Sequence, residues 1–125
     1  MEMRESSEDY LEMILMLRER NGVVRAVNVA EELDFTKASV SVAMKKLREN
    51  GYVSLDEDGA LLLTPAGEAI ATRVYQRHRV LTDFFIRLGV DPEVAARDAC
   101  KVEHDLSQET FEKLLLHAKE KIKEK

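Results

Sequence analysis

Apolar residues recur three and four positions apart along most of this chain, the spacing of one helix face. Leu11, Ile14, Leu15 and Leu17 follow Ser6-Ser7-Glu8-Asp9, a hydroxyl cap leading into acids, and Asn21-Gly22 closes the run. This predicts a first helix. Val27, Val29, Ala30 and Leu33 predict a short second helix, led by a brief extended piece at residues 23–25. Thr36 caps a third, whose buried stripe is Val40, Ala43, Met44 and Leu47 and whose stop is Gly51. In "YVSLDEDGALLLTP" two short β-type runs flank Asp58-Gly59, a hairpin signal. Thr64-Pro65 then opens a long helix with Ile70, Val74, Leu81, Phe84 and Phe85 on one side, ending near Gly89. Asp91-Pro92 opens another that contains "CKVEH", and Ser107 caps a last one with Phe111, Leu114 and Leu115. The charged end "KEKIKEK" reads as frayed.

Helix, short helix, tight turn, helix, hairpin is the order of a winged helix-turn-helix. The fold class is therefore mainly α: an N-terminal winged helix-turn-helix domain, residues 1–64, followed by a helical domain, residues 65–125. The third helix carries a second, polar face. Thr36, Lys37, Ala38, Ser39, Ser41 and Lys45 are small, hydrogen-bonding or basic, and suit a major groove. The 125 residues carry a net charge of −5, which by itself argues against nucleic acid. Its distribution reverses the argument. Residues 36–50 hold four basic groups against one acid, while residues 1–20 hold three against six. The acidic tip Asp56-Glu57-Asp58 would repel phosphate, so the wing tip is expected to be a poor DNA contact.

A charged fraction of 34%, the lack of any apolar run near ~18 residues and a polar start without an apolar stretch suggest a soluble protein with neither membrane span nor secretory signal. The single cysteine excludes an internal disulfide and fits the cytoplasm. That cysteine sits in "CKVEH". Cys100, Glu103 and His104 are spaced i, i+3 and i+4, which on a helix brings them to one face, about 5–6 Å apart at Cβ. Asp9 and Glu12 form another i, i+3 pair, and His78 lies inside the long helix. Taken singly, each has a plain structural explanation. Asp9 and Glu12 complement a helix dipole, His78 between two arginines is solvated or faces phosphate, and Cys100 is a small apolar residue. Together they make six ligand-competent side chains on three helices, the composition of a helix-bundle metal site.

In their order, "EDYLE", "VAEELDFTKASVSVAMKKLRENGYV", "LTPAGE", "RHRVLTDFF" and "DACKVEHDLS" make the chain resemble the diphtheria-toxin-repressor family of metal-dependent transcriptional repressors, which includes iron-dependent repressors and manganese transport regulators. The resemblance implies a DNA-binding domain, a helical dimerisation and metal-binding domain, and a divalent ion as corepressor. It places Asp9, Glu12, His78, Glu103 and His104 where the manganese regulators have ligands. Cys100 departs from these, since they carry glutamate there, and is similar to the iron repressors. The iron repressors' accessory site is not expected, because Thr82 stands where they have an acid. In length the chain is similar to the short manganese type.

The resemblance implies a homodimeric repressor that controls iron or manganese homeostasis by binding a palindromic operator in double-stranded DNA. Oxygen and imidazole ligands suit Mn(II), and a thiolate shifts preference toward Fe(II), placed slightly ahead, with Zn(II) or Co(II) possible in vitro. An apolar face of Val80, Leu81, Phe84, Phe85, Leu88, Phe111 and Leu114 is expected to serve dimerisation as well as the core. Three other readings compete: a winged helix used only for protein contacts, a regulator sensing redox state through Cys100, and an enzyme built on the Cys/Glu/His cluster. The last lacks any recognisable phosphate loop or oxyanion turn.

Overall fold

A computed structural model describes residues 5–123. The chain forms two compact units, Met1–Arg73 and Val74–Lys125. The first holds α1 (Glu5–Asn21), α2 (Ala26–Leu33), α3 (Lys37–Glu49), β1 (Val53–Leu55), β2 (Leu61–Leu63) and the opening turns of α4 (Pro65–Arg87). The second holds the rest of α4, α5 (Pro92–Val102) and α6 (Gln108–Lys123). Mainly helical, with one small antiparallel sheet, this is the architecture the periodicity predicts.

In the first unit the core forms from stripes three and four residues apart. Leu11, Ile14, Leu15 and Leu17 of α1 are buried with Val29 and Ala30 of α2 and Val40, Met44 and Leu47 of α3. α1 is already helical at Glu5, so Ser6 lies inside it rather than capping it. Early acids favour helix there by complementing the dipole, and residues 1–4 lie outside the described residues. Asp34 takes a left-handed conformation (φ 57°) at the C-terminus of α2, giving the tight turn into α3. Thr36 caps α3, accepting from the Ser39 amide at 3.1 Å. After Gly51 (φ 80°) the chain enters a hairpin with Val53 opposite Leu63 and Leu55 opposite Leu61. Its connection is longer than a two-residue turn. Asp56 Oδ1 accepts from the amides of Asp58 and Ala60, at 2.8 and 2.9 Å, closing residues 56–60. Residues 23–25 form no strand, although the Leu61 amide donates to Val24 O at 2.7 Å. Gly67 is needed where it stands, because a Cβ there would lie 2.0 Å from the Tyr52 carbonyl oxygen.

Local caps set the second unit's boundaries too. Asp91 accepts from the amides of Glu93 and Val94 ahead of Pro92, and Ser107 accepts from Thr110. Leu81, Ala95, Ala99 and Phe111 are buried here, so Leu81 and Phe111 serve the chain's own core, while Leu88 at 67% exposure and Ile86 stay open to solvent. α5 stops two residues before the end of the motif it was expected to contain. Glu103 is its C-cap, still with helical φ/ψ, and His104 lies in the following turn. The frayed end expected at residues 119–125 is helical as far as Lys123, and residues 124–125 lie outside the described residues.

Candidate metal centre and nucleic-acid interface

The outer face of α3 is assembled as its polar pattern suggests. Thr36, Lys37, Ala38, Ser39, Ser41 and Lys45 are all exposed, opposite the buried Val40, Met44 and Leu47. The Thr36 hydroxyl also donates to Ser39 Oγ at 2.8 Å, so these two hold the start of the helix as well as facing outward. One residue of the face was missed. Val42 is apolar and 57% exposed beside Ser41. Its signal was readable, since it falls off the 40/44/47 stripe. An exposed methyl pair on a groove-reading surface is a partner for the thymine methyl group.

The wing has a partner that sequence spacing concealed. Arg25 Nη1 donates to the Asp58 carbonyl at 2.6 Å, which sets a guanidinium beside the acidic tip. α1 is braced in the same unit by Arg20–Glu32 at 2.6 Å, Arg73–Glu8 at 2.5 Å and the forked pair of Arg18 with Glu68 at 2.6 and 2.7 Å. The Arg18 hydrogen bonds hold the Glu68 carboxyl below its usual range, opposed by partial burial.

Asp9 and Glu12 lie one turn apart on α1, the first half-buried and the second buried. In the second unit α4 and the end of α5 bring two other candidates into contact. His78 Nδ1 lies 2.9 Å from Glu103 Oε2, so His78 is not the solvated residue that its arginine neighbours suggested. Glu103 is 1% exposed. Its second oxygen, Oε1, makes no hydrogen bond and lies 3.6 Å from His104 Nε2. Cys100, half-buried and outside any disulfide, sits one turn before Glu103, the C-cap of α5, so their i, i+3 relation survives. A fully buried carboxylate with one oxygen lacking a hydrogen bond, set between two imidazoles, is costly for a protein alone. It suits a divalent cation, which accepts oxygen and imidazole donors together.

Sequence reasoning also missed Arg77. Its guanidinium, 6% exposed in the residue as a whole, donates to the carbonyls of Glu103 (3.0 Å) and Leu106 (2.8 Å) and to Gln108 Oε1 (2.9 Å). It also lies over the Phe111 ring, 5.2 Å from the centroid.

Residues 2–61 match the family model described as iron dependent repressor, N-terminal DNA binding domain. Residues 64–120 match the one described as iron dependent repressor, metal binding and dimerisation domain. The transcriptional regulator MntR of Salmonella typhimurium is 37% identical over 112 residues, covering 90% of this chain and 71% of that protein. An uncharacterized HTH-type transcriptional regulator of Methanocaldococcus jannaschii is 35% identical over 98% of this chain and 99% of its own length. Among solved structures, a manganese-dependent transcriptional repressor in complex with manganese superposes with a TM-score of 0.81 at 27% identity, over 90% of this chain and 52% of that one. The T. acidophilum IdeR gives 0.78 at 25%, over 88% and 52%. The chain spans about half the length of these solved structures. Among the described residues no helix is long and apolar enough to cross a membrane.

Proposed function

Because this chain belongs to the iron-dependent repressor family of transcriptional regulators, we propose that it is a homodimeric, metal-dependent repressor whose two copies of α3 read a palindromic operator. Residues 1–64 are the reading head and residues 65–125 the regulatory part. It acts in the cytoplasm, as a regulator and not as a catalyst. The observation that carries the metal reading is Glu103, buried, with Oε2 on His78 and Oε1 lacking a hydrogen bond near His104. We assign Asp9, Glu12, His78, Cys100, Glu103 and His104 as the ligand set. The physiological ion is Fe(II) or Mn(II), with iron slightly favoured by the Cys100 thiol.

The ion supplies positive charge that offsets the carboxylates of Asp9, Glu12 and Glu103. The protein's part is to hold those carboxylates ready. In its absence their like charges repel one another. When all are engaged, both reading heads of a dimer are held in one orientation, with their α3 helices about 34 Å apart, one turn of DNA. Free heads would lose orientational freedom on binding a palindrome, so engagement beforehand raises operator affinity without any new DNA contact.

The test is fluorescence anisotropy on DNA from the protein's own promoter region at fixed salt, in chelator, then with Mn(II), then with Fe(II) under anaerobic conditions. A large gain with metal is expected, lost on Glu103→Ala while the fold is retained. Equal binding in chelator and in metal would sink the corepressor reading. A cobalt(II) titration adds an optical check, since a thiolate charge-transfer band is expected only if Cys100 is a ligand.

A further inference from the structure

Glu103 and His104 stand where α5 has already stopped, which is a weak place to put residues that must hold a fixed geometry. Segments beyond a helix end lose the ladder of hydrogen bonds and fray unless something ties their carbonyls. The Asp105 amide donates to the Val102 carbonyl at 3.0 Å, and a side chain from outside the turn ties the carbonyls that follow. Arg77 comes from the adjacent α4 and takes the carbonyls on both sides of the turn, Glu103 and Leu106, while its other nitrogen holds Gln108 in the first turn of α6. A planar guanidinium can span these three acceptors at once, whereas an ammonium presents one compact point of charge. Its cation also faces the negative end of the α5 dipole and stacks on Phe111.

The position of Arg77 in sequence adds to this. Arg77 and His78 are consecutive on α4, and both reach Glu103, one through its main-chain oxygen and the other through its carboxylate. We infer that Arg77 is a positioning residue for the metal centre: it fixes the 103–106 turn so that Glu103 and His104 are set before an ion arrives. This rests on the metal reading above. A buried cation held at this cost is not required to join two helices, which an apolar side chain would do with less desolvation. What the guanidinium adds is a defined turn.

The experiment uses the full chain with Arg77→Met, which keeps an unbranched apolar stem and removes the donors, and Arg77→Lys, which keeps the charge without the fork. Mn(II) affinity is read by electron paramagnetic resonance of the free ion. Amide hydrogen exchange is read in the metal-free protein. The expected result is Mn(II) binding weakened about 10- to 100-fold by Arg77→Met, the usual range for groups that orient metal ligands, with Arg77→Lys between it and wild type. Exchange at residues 103–107 should quicken more than exchange in the middle of α4. Wild-type Mn(II) affinity in a folded Arg77→Met protein, even with lowered stability, would make Arg77 a structural residue only and overturn the inference. If Arg77→Met does not fold, Arg77→Lys decides alone. Weaker Mn(II) binding at an unchanged unfolding midpoint supports the inference, and unchanged binding refutes it. Glu103→Ala separates the two levels: should it bind Mn(II) as wild type does, the metal reading itself fails and takes this inference with it.

Discussion

Glu103→Gln separates a metal ligand from a structural ion pair with one substitution. The change keeps the side chain's shape and removes its charge. In the metal-free protein the carboxamide oxygen can still accept at the Oε2 position, 2.9 Å from His78 Nδ1. Its NH2 then occupies the Oε1 position, 3.6 Å from His104 Nε2, where the carboxylate makes no hydrogen bond. Little is lost, so the metal-free stability should stay within about 1 kcal/mol of wild type. The metal-loaded protein should behave differently. At an Mn(II) concentration 100 times the dissociation constant, wild type gains about 2.7 kcal/mol. A variant whose affinity falls 100-fold gains only about 0.4 kcal/mol at the same concentration. For a chain of 125 residues, that difference corresponds to roughly 10 °C in Tm. The assay is thermal unfolding of both proteins in chelator and in Mn(II). If Glu103 were instead one half of a structural buried pair, breaking it would cost about 3–5 kcal/mol with no metal present. A loss of that size in chelator, with the Mn(II) increment intact, would refute the ligand assignment.

Three further predictions concern the first unit. Lys45→Ala should weaken operator binding evenly across sequences and reduce the salt slope by about one per subunit, measured by anisotropy at several salt concentrations. Val42→Ala should do the opposite, leaving the salt slope alone and costing about 1 kcal/mol, roughly fivefold, only on sites with a thymine at the contacted step. The Arg18–Glu68 pair should be pH-sensitive. The Glu68 pKa is depressed when folded, so its contribution is present above the unfolded carboxylate value, ~4.3, and is lost as pH falls through the lower folded value. Both partners are well exposed, so in a double-mutant cycle with Glu68→Gln this coupling should be at most about 1 kcal/mol and shrink with salt.

Four helix starts were legible in the sequence because they are set by residues next to them, whereas Ser6, read as the first cap, lies inside α1. Thr36, Thr64-Pro65, Asp91-Pro92 and Ser107 each mark a helix N-terminus where the structure has one. The end of α5 was not legible, because what organises it is Arg77, 26 residues away from Glu103 along the chain. The same holds for the wing. Asp58-Gly59 marked the hairpin, but the contact of Arg25 with Asp58 spans 33 residues and no local pattern encodes it. The candidate ligands could be picked out by residue type. That His78 meets Glu103, rather than solvent or phosphate, is a fact of packing. Its neighbours Arg77 and Arg79 pointed the other way until Arg77 turned out to face inward.

On the proposed ligand set, the influence of Asp9 and Glu12 on DNA reading follows from the way α1 is built into the first unit. Asp9 and Glu12 stand on the helix that also supplies Leu11, Ile14, Leu15 and Leu17 to the core. Three ion pairs tie it further, to α2 through Arg20–Glu32 and to the start of α4 through Arg18–Glu68 and Glu8–Arg73. Close packing of this kind does not deform gradually under a small load. A constraint applied at Asp9 and Glu12 should therefore move the head as one body, with the α3 surface expected to meet DNA with the same face whether or not the constraint is present. The regulated quantity is then orientation, and the head needs no internal switch. Isolated reading heads should consequently bind half-sites equally in chelator and in metal, and the metal effect should appear only on the full palindrome with the full chain.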